Sequence, residues 1–237
     1  MAPLRELPRD GRGCSVSYLT IGGQGCIRGR VLLPRIGAWV ADVVANPPAL
    51  APGAHVALSV GGVSLRGTVR RAQNAWGTVA ARVVGGNGGL VTKLTPKAYR
   101  TVALRQPLAD ILSDCREQLS GTADPALLSR QLASWVRSAI PGWMALAGLL
   151  DGAAWRVLPD GTIWTGSESW VLSGMRAASV LSYQPAELKM LVYSDTPAVL
   201  PGQTFAGMHV SAVTHIVDEG KVRTEMLFED PALEKTA

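Results

Sequence analysis

The chain has few of the residues on which several protein classes depend. Its 237 residues include 3 Cys, 3 His, 2 Phe and 4 Tyr, and only 17% of them are charged. Cys14, Cys26 and Cys115 are widely spaced and form no CxxC pair, so the sequence predicts neither a disulfide framework nor a zinc knuckle. The low charge, together with 26 Gly and 15 Pro, also excludes a coiled coil.

Long hydrophobic runs are missing as well. No stretch approaches the roughly 18 uninterrupted apolar residues of a membrane-spanning helix, and residues 1–8 have no apolar segment typical of a signal peptide. We therefore expect no membrane span and synthesis in the cytoplasm. Because 47% of the residues are hydrophobic, the chain can bury an ordinary core in one large or two small domains.

Short strands separated by Gly and Pro fill the first third of the chain. Alternation predicts six of them, at residues 14–21, 26–33, 38–44, 55–60, 63–71 and 76–84. The same alternation predicts which side chains face the core, namely Ile27, Val31, Leu33, Leu65 and Val69. The arginines between them then line one outer face. The glycine-rich segment Gly85–Gly89 predicts a mobile turn rather than a phosphate-binding loop.

The apolar period changes to 3.6 residues between Gln106 and Leu150. We expect one helix from Pro107 to Gly121, with Leu108, Ile111, Leu112, Cys115 and Leu119 as its apolar stripe. A second helix is expected from Asp124-Pro125, burying Leu128, Leu132, Trp135, Val136 and Ala139, and a short third one over 143–150. Strand patterns return at 155–158, 162–165, 188–193, 209–218 and 222–228, with turns at Asp160-Gly161 and Glu219-Gly220.

Two segments 149 residues apart share a pattern. Residues 48–56 and 197–205 both fit P-A-apolar-x-P-G-x-x-apolar, and each leads into a region of paired strands. Chance recurrence of Pro-Gly turns is one explanation, and a duplicated β domain is the other.

Charge is distributed unevenly along the chain. Residues 1–137 carry 17 basic and 7 acidic side chains, whereas the remainder carries 6 and 11. Within residues 11–105, 12 basic groups stand against the single acid Asp42. This imbalance predicts an acidic counterpart, which is nucleic acid, an acidic partner protein or the acidic half of another copy. Five arginines are the candidate interface residues: Arg28, Arg30, Arg66, Arg70 and Arg82.

No catalytic, cofactor-binding or metal-binding residue can be assigned. Gly166-Ser167-Glu168-Ser169 is not a nucleophile elbow, and Gly22-Gly23-Gln24-Gly25 lacks the third glycine of a dinucleotide-binding motif. His209 and His215 would lie about 20 Å apart along one strand, too far to share a metal. Trp155, Trp164 and Trp170 cluster around one predicted turn, where packing is a more usual role than a platform for sugars or bases. We therefore expect no enzyme and no cofactor.

Segment 53–69 has the pattern G-x-x-V-x-L…L-x-G-x-V. This pattern resembles a hairpin of one family, the baseplate hub proteins of contractile-tailed bacteriophages and related contractile injection systems. Tyr99–Leu104 leading to Pro107–Leu112 resembles the passage from strand to helix after its first barrel. Segments 155–164, 201–202, 213–215 and 222–225 are similar to its second barrel. These segments lie in about two thirds of the chain, which is short for a hub.

The resemblance implies a mainly β fold with a helical connector (α+β) and two tail-tube-like β-barrels. We expect the first barrel at 11–105, the connector at 106–150, the second barrel at 151–229, and flexible tails at 1–10 and 230–237. It also implies a homotrimeric hub ring in the virion tail baseplate, assembled in the host cytoplasm, that links the central spike protein to the hexameric tail tube protein and contacts other baseplate proteins.

Two other functions stay open at this point. A basic β-barrel that binds nucleic acid would explain the arginines, and an unrecognised hydrolase would need a catalytic Ser or Glu. The sequence also leaves open whether the basic region faces protein or DNA passing through the lumen of the ring.

Overall fold

The computed structural model describes residues 18–46, 50–75, 77–175, 178–194, 197–218 and 221–229. The strands of the first half are β1 (Leu19–Ile21), β2 (Gln24–Pro34), β3 (Val40–Ala45), β4 (His55–Val60), β5 (Val63–Ala75), β6 (Thr78–Gly85), β7 (Lys97–Ala103) and β8 (Gln131–Arg137). Those of the second half are β9 (Ala154–Val157), β10 (Ile163–Gly166), β11 (Val171–Leu172), β12 (Ser179–Gln184), β13 (Lys189–Tyr193), β14 (Gln203–Phe205), β15 (Met208–Asp218) and β16 (Lys221–Phe228). The helices are α1 (Arg105–Asp114), α2 (Pro125–Ser129) and α3 (Gly142–Leu150).

The first six strands form a closed β-barrel in the order β1-β4-β5-β6-β3-β2, which a pairing between β1 and β2 completes. Trp39 fills its interior and is only 1% exposed. The backbone passes so close to this ring that a Cβ on Gly67 or Gly85 would lie 2.6 Å from an indole atom. Glycine at these two positions therefore makes room for the large core side chain.

The last six strands repeat the strand order of the barrel. Their order is β11-β14-β15-β16-β13-β12. In this order β11 corresponds to β1, β14 to β4, β15 to β5, β16 to β6, β13 to β3 and β12 to β2. Pro201-Gly202 precedes β14 just as Pro52-Gly53 precedes β4, so the two similar segments lead into strands at the same position in the two orders, which favours a duplicated β domain over chance recurrence. The repeats differ in two ways. Strand β11 runs parallel to β14, and within the described residues no pairing joins β11 to β12.

Within the described residues, a single strand pairing joins the two repeats into one sheet. Seven residues of β15, Ala212–Asp218, pair with Pro34–Arg28 of β2 in antiparallel register. The edge of β2 that pairs with β15 also pairs with β1, at Gln24 and Gly25. The chain is therefore mainly β with a helical connector, and the predicted fold class is confirmed.

The connector contains a strand where a helix was predicted. Helix α2 ends at Ser129, and residues 131–137 form β8, which pairs with β7. In this strand Trp135 packs against Tyr99 with ring centroids 5.6 Å apart, while Val136 is 68% exposed rather than buried. The prediction of a second helix is therefore correct for residues 125–129 and wrong for residues 131–137. β-branched and aromatic side chains favour the extended backbone once a partner strand is present.

Helix α1 ends seven residues before the predicted Gly121. Arg116 adopts a left-handed conformation with φ of 57°, and the N–H of Glu117 donates to the carbonyl of Leu112. This is the hydrogen-bond pattern that closes many helices, usually with glycine at the left-handed position. The predicted stripe holds up to Cys115, since Leu108, Ile111, Leu112 and Cys115 are buried.

A β-bulge explains one wrong core prediction in the barrel. The register between β2 and β3 shifts between Cys26 and Arg28, so Ile27 is the extra residue. Ile27 is 42% exposed, whereas Val31 and Leu33 are buried as predicted. Other predictions fall on residues outside the described ranges: Cys14, Trp76, the Glu219-Gly220 turn and both terminal tails.

Candidate interaction surfaces

Cross-strand register gathers arginines on the outer face of the sheet. Directly opposed residues form a row across five strands: Arg71 of β5, Arg82 of β6, Asp42 of β3, Arg30 of β2 and Ile216 of β15. Side chains opposed in this way point to the same side of a sheet. Together with Arg28 and Arg70, these residues line an open concavity of about 960 Å³. We call Arg28, Arg30, Arg70, Arg71 and Arg82 the arginine surface.

Asp42 organises the centre of the arginine surface. Its two carboxylate oxygens accept hydrogen bonds from Nε and Nη2 of Arg82 at 2.7 and 2.8 Å. This paired hydrogen bond, with a smaller electrostatic effect of Arg30, lowers the pKa of Asp42 from 3.8. The carboxylate is therefore ionised at neutral pH and holds one guanidinium in place. Both side chains are about half exposed, so the pair itself adds little stability.

The structure brings four of the five predicted arginines together and separates the fifth. Arg66 lies in another cavity of about 420 Å³, with His55 and Asp160. The turn between β9 and β10 packs there, because the N–H of Arg66 donates to the carbonyl of Pro159 at 2.7 Å. Arg71 was missed because strict alternation turns it inward. A bulge between Val69 and Arg71 exposes both Arg70 and Arg71, and nothing in the sequence pattern indicates this irregularity.

Intramolecular ion pairs neutralise part of the acidic second half. Glu168 pairs with Arg156, Glu229 with Arg35, and Glu225 with Lys189 at 3.0 Å. These carboxylates are 5 to 19% exposed. The excess of acidic residues in the sequence of the second half is therefore larger than the number of carboxylates that are available to contact another copy.

Among the strand edges that are unpaired within the described residues, two belong to β12 and β5. Strand β12 pairs only with β13, and all six of its residues are exposed, including Val180 and Leu181 at 56% and 52%. The second edge belongs to β5, whose residues beyond Val69 pair with β6 but not with β4. Strand β12 carries no charge and no proline, the usual features that protect an edge from pairing with another chain.

The glycine-rich turn is buried and binds an internal carboxylate. Glu117 is 6% exposed and accepts hydrogen bonds from the N–H groups of Asn87 and Gly89, both at 2.9 Å. Burial raises the pKa of Glu117, while these backbone donors lower it. Gly86 and Gly88 have φ near 70°, a conformation that glycine adopts at little cost. The turn is therefore not an exposed phosphate-binding loop, because its backbone N–H groups at Asn87 and Gly89 already donate to the Glu117 carboxylate.

The tryptophans near the Asp160-Gly161 turn form no shared platform. Trp155 is buried, Trp164 packs under the guanidinium of Arg156 at 4.3 Å, and Trp170 stacks on His209 at 4.0 Å. Each ring therefore has its own neighbour inside the chain. These contacts are packing interactions, the role that the sequence favoured.

The described residues offer no constellation for metal or thiol chemistry. No group of three or more potential metal ligands is found among them. Burial raises the pKa of Cys26 and of Cys115 to about 11, so neither thiol ionises at neutral pH. His215 lies in the core, and its Nδ1 is 3.0 Å from the hydroxyl of Thr224. In the described part of the chain, no helix is both long and apolar enough to cross a membrane.

Solved structures of phage tail proteins share this fold. The 43 kDa tail protein of prophage MuSo2 from Shewanella oneidensis matches with a TM-score of 0.67 and 11% identity, over 90% of this chain and 96% of that one. A tail protein from Neisseria meningitidis MC58 matches with a TM-score of 0.61 and 12% identity, over 90% and 96%. The chain therefore has the fold of these tail proteins.

A protein of a secretion system shares the fold too. The E. coli c3393 protein, a component of the type VI secretion system with structural similarity to the T4 tail proteins gp27 and gp5, matches with a TM-score of 0.66 and 13% identity, over 90% of this chain and 77% of that one. No protein-family model and no curated protein matches the sequence. At these identities the likeness concerns the fold, and at that level the resemblance expected from the sequence is confirmed.

Proposed function

We propose that the chain is a structural protein of a phage-type tail baseplate, where three copies form a hub ring between the central spike and the hexameric tail tube. Its fold, shared with two tail proteins and with a secretion component similar to gp27 and gp5, supports this role. The division into two barrels at 11–105 and 151–229 with a connector at 106–150 is part of the proposal. The function is assembly, without catalytic turnover.

The observation that carries the proposal is the repeat with its single connection. Strand β2 of the first repeat pairs with β15 of the second, and β15 is the counterpart of β5. The equivalent pairing in the opposite sense would join β12, the counterpart of β2, to β5. Those two strands have the unpaired edges described above.

In the proposed ring, this connection is repeated between copies. Residues 179–184 of one copy would pair with the edge of β5 beyond Val69 in the next copy, and each segment offers about six residues. Such an interface is heterologous, because two different edges meet, and heterologous contacts form a ring where the rotation between copies closes and an open filament where it does not. Three copies with two repeats each give six similar units, which suits the junction of a threefold spike with a sixfold tube.

The ring proposal also assigns partners and a location. The tail tube protein would contact one face of the ring, the central spike protein the other, and further baseplate proteins its rim. The protein would be assembled in the host cytoplasm and then reside in the virion tail.

Lysine substitutions at two matched edges test the proposed connection. Val180→Lys with Leu181→Lys places charges on β12, whereas Val171→Lys with Leu172→Lys makes the same change on β11, whose residues are 55% and 80% exposed. Charges on an edge oppose strand pairing between chains. Light scattering should give three times the 24.9 kDa chain mass for the wild type and the β11 variant, and a monomer for the β12 variant.

The thermal midpoint of the monomer serves as the folding control, since all four side chains are exposed. If the β12 variant keeps the mass of the wild type, the proposed connection is wrong. A stable twofold dimer of the wild type would contradict the hub ring itself.

A further inference from the structure

We propose that the arginine surface binds the phosphodiester backbone of nucleic acid. This inference goes beyond the ring proposal and shares one segment with it, because Arg70 and Arg71 lie on the part of β5 whose backbone edge is proposed to pair with β12 of the next copy. The inference concerns their side chains, on the outer face of β2, β3, β5 and β6 within a single copy. It rests on the charge, the spacing and the pairing state of the five guanidinium groups.

Positive charge on the arginine surface exceeds what its own carboxylates can balance. The concavity is lined by five arginines and only two acids, Asp42 and Asp218. Asp42 is engaged with Arg82, and Arg70 donates to the carbonyl of Gly88 at 3.2 Å. Within the described ranges, Arg28, Arg30 and Arg71 make no ion pair and no side-chain hydrogen bond. Three exposed guanidinium groups are therefore available to an anionic ligand.

The spacing of these groups matches an extended anion rather than a single ion. Neighbouring strands lie about 5 Å apart, and two residues along a strand span about 7 Å. Arg28 and Arg30 on β2 are three strands away from Arg71 on β5, so the groups spread over about 15 Å. Along each strand of duplex DNA one phosphate occurs per about 3.4 Å of the helix axis. Several phosphates of one nucleic acid can thus be contacted together.

The residues lining the surface favour the phosphate backbone over the bases. No aromatic ring is among the described residues that line the concavity, so stacking with bases has no support there. The guanidinium fork suits phosphate oxygens. A second copy offers fewer carboxylates than its sequence indicates, because Glu168, Glu225 and Glu229 are committed to internal ion pairs. We therefore expect binding that depends on salt and not on base sequence.

Fluorescence anisotropy with the full chain tests the inference. The probes are a labelled single-stranded oligonucleotide of about 20 nucleotides, its duplex, and polyglutamate as an acidic polypeptide. Contact with three phosphates predicts a slope of log K against log salt of about −2 for the single strand. Arg28→Ala with Arg30→Ala should reduce this slope by about 1.4, because each lost phosphate contact removes about 0.7. A second base sequence should bind with the same affinity.

The control removes the same charge elsewhere. Arg66→Ala with Arg100→Ala deletes two exposed arginines outside the surface and should leave the slope unchanged. Equal losses in the two double variants would show that net charge alone drives binding, which overturns the inference. Binding of polyglutamate but not of either nucleic acid would also overturn it and identify the surface as a protein interface. Circular dichroism and the thermal midpoint verify that each variant is folded.

Discussion

At the scale of single residues, His215 shows how burial sets a charge state. Its side chain has no exposed surface, and burial lowers the pKa of His215 from 6.5 to about 4. Strand β15 places it opposite Thr224 of β16, whose hydroxyl is its one hydrogen-bonding neighbour among the described residues, since Nε2 has none. The imidazole is therefore neutral in the folded protein at neutral pH, and it acts as a core residue.

Because His215 is buried and neutral, we expect the folded protein to lose stability in mild acid. Between pH 6.5 and about 4 the unfolded chain holds a proton at His215 that the folded chain does not, so the free energy of unfolding falls as pH falls. The full contribution is about 3 kcal/mol. Urea unfolding at pH 7 and pH 4.5 measures it. His215→Gln should show a weaker pH dependence than the wild type, whatever its absolute stability.

His55→Gln is the matched control, because His55 is exposed. It should leave the part of the pH dependence that is assigned to His215 in place. If His215→Gln retains that dependence in full, another group is responsible and the assignment to His215 is wrong.

Individual side chains were predictable wherever the strands are regular. Leu65, Val69, Val31 and Leu33 are buried as alternation predicts. Ile27 and Arg71 depart from the pattern because each lies at a β-bulge. A bulge depends on the curvature of the closed barrel, which no local sequence pattern records, so the exact composition of the arginine surface could not be predicted.

At the scale of elements, a buried arginine of β8 forms an ion pair with an aspartate of α1. The Arg137 side chain is 3% exposed, its Nε donates to the carbonyl of Thr95 at 2.9 Å, and its Nη2 donates to Asp114 at 2.7 Å. One turn earlier on the same helix, Asp110 pairs with Lys97, which is half exposed. The two carboxylates therefore face cations of very different burial.

We expect Asp114→Asn to destabilise the protein more than Asp110→Asn. Removing the Asp114 charge leaves a buried guanidinium with less compensation, at a cost of about 2–3 kcal/mol. The pair with Lys97 is solvated and contributes within about 1 kcal/mol. Asp110 also accepts a hydrogen bond from the Tyr99 hydroxyl at 2.9 Å, which the side-chain oxygen of asparagine can still accept. Chemical denaturation of the two variants gives the comparison. Equal losses would mean that Arg137 does not depend on Asp114.

The same element shows why a helix was predicted over residues 131–137. Leu132, Trp135 and Val136 fit a helical stripe, but they also fit a strand with a partner. The partner, β7, comes from 97–103 and is held by long-range pairing that the local period cannot reveal. Strands with their own hairpin partners, such as β4 and β5, were predicted to within a few residues.

At the scale of the whole molecule, the repeat is the feature from which the ring proposal follows. The sequence showed it only as one shared nine-residue pattern. The structure extends it to six strands in the same order and to a connection that can be repeated between copies. Strands β11, β12 and β14 were not predicted, because they are short or exposed on both faces and have no clear alternation.

Particle imaging of the purified full chain at high concentration tests the central claim most directly. The account predicts class averages of a ring with threefold symmetry and six barrel-sized lobes, two for each copy. Closed twofold dimers, or particles that stay single at the highest soluble concentration, would contradict it.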